Sequence, residues 1–185
     1  FSEFNVAVLE NITLEIATEI ASIEFVLTGW DGFIDPTSIT SYEANFYSDV
    51  ELASVSLVGD TASTQVDSAD VTIVSDWYGA GFLISVPIQV QLDAGDYWHS
   101  VIPANNYSLY GQVGIAESLL GDGVLSMQAN PGEGFGFGTL RELSYETAYR
   151  LNDNTIIDPC LVELPKACSE DIDGDGFVSI IDLLE

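Results

Sequence analysis

Positive charge is nearly missing from this chain. Lys and Arg total 3 against 30 Asp and Glu, for a formal net charge of -27. Phosphate backbones are held by clustered cations, so nucleic-acid binding is excluded. An anionic membrane surface would repel the chain. Membrane insertion is not expected either, because no apolar run reaches the roughly 18 residues that span a bilayer. Imidazole is almost as scarce, with 1 histidine. A Ser-His-Asp triad needs that ring beside a nucleophile and a carboxylate. His99 instead follows Trp98 in a strand-like run with no G-x-S-x-G elbow before it, and is expected to be a surface strand histidine. Thiols are limited to Cys160 and Cys168, too few for a zinc site with His99 so distant in sequence. The acids offer no distinguishable pair for glycoside hydrolysis. The glycine-rich run 130–138 lacks the Lys of a phosphate loop, so its glycines are assigned to tight turns. The chain is accordingly read as a non-enzyme.

What is present is apolar and acidic together. The 185 residues are 47% hydrophobic, enough for one full-sized domain with a large core and a small appendage. The acids are interleaved with strand-like segments, unlike a disordered acidic tail. Such a surface favours divalent cations. Ile12, Leu14, Ile16, Thr18 and Ile20 share one parity, and Ile23, Phe25 and Leu27 the other. That phase change requires a bulge or turn near Ala21 and Ser22. Further strands are expected over 40–47, 50–58, 71–75, 82–87, 89–92, 97–102, 108–115, 124–128 and 147–151. Glycine- and Asp-rich turns separate them. No helix is expected before residue 180, apart from short turns near 116–120 and 140–145. Many short strands with regular turn signals predict an all-β fold, an antiparallel β-sandwich of jelly-roll type, over residues 1–151. Asn152, Asp158-Pro159 and Pro165 mark 152–169 as a connector. Cys160 and Cys168 are placed to close a small disulfide loop there, the state expected in an extracellular setting.

The sharpest chemistry lies in residues 170–185. Asp171, Asp173, Asp175 and Asp182 occupy positions 1, 3, 5 and 12 of a twelve-residue loop, with Gly176 at position 6. This is the ligand spacing of an EF-hand calcium loop. Asp171, Asp173 and Asp175 would give side-chain oxygens and Phe177 a backbone carbonyl. Ser179 would contribute directly or through water, and Asp182 would close the shell. The expected cofactor is Ca2+.

Position 12 is Asp rather than Glu, Leu183 and Leu184 follow, and no amphipathic helix precedes the loop. In these respects the segment resembles a dockerin repeat. The resemblance implies an extracellular, calcium-folded module, and in dockerins a cohesin partner. Dockerins carry two repeats and one is present here. The sequence stops at Glu185 inside the expected helix, so it is read as a piece of a longer protein. A second resemblance spans 12–151. It rests on Phe46-Tyr47-Ser48-Asp49, on Leu92-Asp93-Ala94-Gly95-Asp96-Tyr97-Trp98-His99-Ser100, on the 130–138 run and on Ala148-Tyr149-Arg150-Leu151. Together these are similar to a secreted β-sandwich module of planctomycetes and marine Bacteroidetes, often followed by a dockerin-like tail. That resemblance implies no enzymatic activity.

Three readings follow, the third being a hydrolase. The first is an extracellular or cell-surface structural protein: a subunit of a layer, fibre or adhesive that associates with itself or another extracellular protein. The alternating segment 6–20 could donate a strand to a neighbour, or be an ordinary first strand of its own sheet. The second is a carbohydrate-binding accessory module, in which Trp30, Trp77 or Trp98 would stack on a polysaccharide; core packing is the competing role for each. Asn11-Ile12-Thr13 and Asn106-Tyr107-Ser108 make Asn11 and Asn106 candidate glycosylation acceptors.

Overall fold

Period-two alternation decides most of this fold. The clearest case is Phe82–Leu92, where Ile84, Val86, Ile88, Val90 and Leu92 are buried and Pro87, Gln89 and Gln91 are exposed. The computed structural model describes residues 5–74, 81–118, 120–134 and 136–153. Among them the strands are β1 (Ala7–Leu14), β2 (Thr18–Trp30), β3 (Ser41–Tyr47), β4 (Ala62–Asp67), β5 (Thr72–Val74), β6 (Phe82–Leu92), β7 (Gly95–Pro103), β8 (Gln112–Ile115), β9 (Glu117–Ser118), β10 (Met127–Ala129), β11 (Leu140–Glu142), β12 (Glu146–Thr147) and β13 (Tyr149–Asp153). Two one-turn helices interrupt them, α1 (Val50–Ala53) and α2 (Tyr107–Tyr110).

The strands form two antiparallel sheets packed face to face, an all-β sandwich. One sheet has the order β11-β10-β1-β7-β3-β4, and the other β13-β2-β6-β5, with β8 also pairing β2. β9 and β12 make a small separate ribbon. Between the sheets lies the main core, which includes Ile20, Ile23, Phe25 and Leu27 of β2, Tyr42 and Phe46 of β3, and the even-numbered residues of β6. A second cluster of Leu9, Tyr47, Ala53 and Ala129 covers the outer face of the six-stranded sheet, with Trp98 packed against it.

The phase change near Ala21 is a bulge. The ladder steps from Ile20–Val90 to Ser22–Pro87, so Ala21 stands opposite both Ile88 and Gln89. Proline, which cannot donate to a ladder, sits at that irregularity. Residues 6–20 are divided between two strands. β1 lies inside its own sheet, with Ala7, Val8 and Leu9 paired to β10 and residues 10–14 paired to β7. Donation of this segment to a neighbour would require it to leave both partners.

Three expectations are corrected. Residues 50–58 are not a strand but α1 and a loop. Asp49, extended at φ -151, accepts from the Glu51 amide at 2.9 Å and starts the helical turn. Asp60 then accepts from the Ser48 amide (3.0 Å) and hydroxyl (2.7 Å), closing the loop. Residues 108–115 begin as α2, and Gly111 at φ +79 ends that turn before β8. The segments near 116–120 and 140–145, expected as turns, contain strands β9 and β11, because their backbones find partners in β12 and β10.

Candidate functional site

The residues of the calcium loop, Asp171, Asp173, Asp175, Phe177, Ser179 and Asp182, lie outside the described residues, as do Cys160, Cys168 and Trp77. Among the described residues no group of three or more His, Cys, Asp or Glu side chains converges as a metal site would require. No helix among them is long and apolar enough to cross a membrane.

His99 is not on the surface. It is 1% exposed, on the inner face of β7. In register it stands between Glu10 of β1 and Phe46 of β3, and Tyr149 of the opposite sheet meets it edge-on at 4.8 Å. Its Nδ1 has no hydrogen-bond partner. Burial pulls the imidazole down to about 3, so the ring is neutral at ordinary pH. The Tyr149 hydroxyl accepts from the Val101 amide at 3.4 Å, and burial raises its pKa strongly. Strand parity accounts for the placement, since Tyr97 and Val101 share the inner face with His99.

The neighbouring Glu10 was not singled out from sequence. It shares parity with Ile12 and Leu14, so its carboxylate enters the sandwich, where it is 8% exposed. Oε2 accepts from the Ser126 hydroxyl (2.5 Å), the Thr147 amide (2.8 Å) and the Thr147 hydroxyl (2.8 Å). This one oxygen ties β1, β12 and the segment before β10 together. A carboxylate at a core-facing position of a strand was the available signal. Glu10, His99 and Tyr149 are acid–base types, but they are sealed between sheets. Two surface depressions lie elsewhere. One is lined by Ala21, Thr64, Pro87, Ile88 and Gln89, and the other by Gly32, Ile34, Asp35, Thr37, Ser38, Leu109 and Tyr110.

The remaining candidates separate by exposure. Tyr97 packs on the main core and Trp98 on the outer cluster, so both rings of that adjacent pair are partly buried. Trp30 is 46% exposed at the end of β2, over Gly114. Asn106 is exposed at the start of α2 and makes no capping bond. Asn11 is half-buried, and its Nδ2 donates to Asp122 at 2.7 Å. The two sequons thus present their amides differently. The 130–138 run forms the connection between β10 and β11, held by Asn130–Thr139 (2.8 Å) and Glu133–Asn130 (2.9 Å) backbone bonds. Gly136 and Gly138 there have positive φ. No family model, curated protein or solved structure matches the chain.

Proposed function

We propose that this chain is an extracellular, calcium-binding structural or assembly subunit without catalytic activity. The observation that carries the assembly reading is the outer edge of the six-stranded sheet at β4. Among the described residues β4 pairs with β3 alone, over six residues, and it contains neither proline nor a cation. Natural sheet edges are usually blunted by Lys, Pro, or covering segments, because unpaired backbone groups recruit another strand. In the second sheet, among the described residues, β5 pairs only residues 83–85 of β6. Thr64 and residues 87–89 border the shallow depression between β4 and β6.

Two such acidic subunits repel each other unless cations intervene, and the loop Asp171 to Asp182 supplies the expected calcium dependence. The burial of the sole histidine supports a non-catalytic role. The test is sedimentation velocity of the full chain in calcium, magnesium and chelator. Larger species should form in calcium, disperse in chelator, and be lost in a Ser63→Lys/Gln65→Lys double variant with unchanged thermal stability. A monomer at every calcium concentration would refute the assembly reading. Separately, Asp173→Ala should remove the calcium-induced thermal shift; a retained shift would refute the loop assignment.

A further inference from the structure

Among the described residues, exposed aromatic rings fall in two segments of this acidic molecule. Among the described residues, Trp30, Tyr107 and Tyr110 are the exposed aromatics, at 46%, 54% and 46%. The most exposed aliphatics of the same region, Ile34 at 84% and Leu109 at 70%, stand beside them in sequence. One segment is the end of β2 with the loop 31–38; the other is α2 with Gly111. The other exposed large apolar side chains among the described residues, including Ile16, Val55, Ile73, Val74 and Leu120, are aliphatic. An apolar patch gathered in one place on such a surface marks a binding site.

The two segments are built as one rigid unit. At Gly111, φ is +79, and a side chain would place its Cβ 2.3 Å from the Phe33 amide nitrogen and 2.6 Å from the Trp30 carbonyl. Only glycine lets the two backbones approach this closely. Asn105 Nδ2 donates to the Gly111 carbonyl at 2.9 Å. Phe33 folds back over Gly29 and meets Phe82 edge-on at 6.3 Å, which anchors the loop to the sheet. Asp35 accepts from the Thr37 amide at 2.9 Å and from its hydroxyl, fixing the turn Pro36–Ser38. The site is therefore pre-formed, which lowers the cost of binding.

The lining between these segments has a defined chemical character. Ile34, Leu109 and Tyr110 supply an apolar, partly aromatic floor, and Asp35, Thr37 and Ser38 supply polar atoms. The Thr37 hydroxyl and amide hold the Asp35 carboxyl below the usual range, so it is an acceptor at all ordinary pH. Both bonds use Oδ1, which leaves Oδ2 to accept from a ligand. No cation lines the depression. Of the described cations, Arg150 is paired with Glu24, and Arg141 donates to Gln128 and lies over Phe137.

We propose that this depression binds a neutral saccharide, with a pyranose face on Tyr110 and its flanking aliphatics and sugar hydroxyls donating to Asp35. Anionic ligands are excluded by charge. A fully apolar ligand would waste the carboxylate and hydroxyls. A polyhydroxylated ring with one apolar face uses both halves of the lining. The site does not depend on assembly through β4 or on the calcium loop. The test is affinity electrophoresis of the full chain in gels containing neutral polysaccharides (a β-glucan, a mannan and a xylan), with alginate as the anionic control. Titration calorimetry with the matching hexaoses follows. At least one neutral glycan should retard the chain, and alginate should not. Tyr110→Ala and Asp35→Asn should each weaken that binding about tenfold or more. Leu52→Ala, an exposed apolar residue on α1, should leave it unchanged. The proposal is overturned if no neutral glycan binds, or if both site variants bind as well as the parent. It is also overturned if oligolysine occupies the site while the sugars do not compete, which would assign it to a cationic partner.

Discussion

Acidification should weaken this sandwich through one side chain. His99 is 1% exposed and neutral in the fold, with burial lowering it from 6.5 to about 3. In the unfolded chain it takes up a proton below about 6.5. Between those values the unfolded state binds a proton that the folded state refuses, so stability falls as pH falls. From about pH 7 to about pH 4.5 the loss is about 2–3 kcal/mol, and it levels off near pH 3. The groups facing the ring do not offset this. Phe46 and Tyr149 pack on it without a charge, and the Glu10 carboxylate is engaged by Ser126 and Thr147. The assay is urea unfolding across this pH range for the parent and for His99→Phe, which keeps an aromatic ring against Tyr149. The many surface carboxylates contribute equally to both proteins, so the difference isolates His99. The parent should lose about 2–3 kcal/mol more than the variant over the acid range. Parallel pH profiles would refute the claim that the buried ring stays neutral.

Other expectations concern single ties. Glu10→Ala strands the donors of Ser126 and Thr147 and should cost about 3 kcal/mol in urea unfolding; Glu10→Gln, which keeps an acceptor, should cost about 1 kcal/mol. Tyr47→Phe removes the hydroxyl bond to the Leu57 carbonyl at 2.5 Å and should cost about 1 kcal/mol. Its readout is faster amide exchange confined to the loop between β3 and β4. Gly111→Ala forces a side chain onto the Phe33 and Trp30 backbone and should lower Tm by about 6–10 °C. An unchanged Tm there would mean that the two segments separate readily.

Parity made the sheets legible. The even-numbered residues of β6 and the odd-numbered residues Ile23, Phe25 and Leu27 of β2 announce their buried faces, and the mismatch at Ala21 announces the bulge. Residues 50–58 misled because Val50, Val55 and Val58 resemble a strand. What decides that region is a pair of carboxylates, Asp49 and Asp60, binding backbone groups at the loop ends. That chemistry has no periodicity. The burial of His99 needed knowledge of the opposite sheet, since nothing within β7 says that Tyr149 covers the inner face. The edge status of β4 is likewise a property of topology rather than of its own residues. The aromatic depression joins segments some seventy residues apart, brought together by the pairing of β8 with β2 and the close approach at Gly111.

The placement of β1 and β2 governs how this molecule can be made. β1 waits for β7 and β10, and one side of β2 is completed only by β13, whose last residue is Asp153. During synthesis the first thirty residues emerge with Leu9, Ile20, Ile23, Phe25 and Leu27 all lacking cover. Such distant pairings make folding slow, and they leave sticky strands exposed until nearly the whole body has left the ribosome.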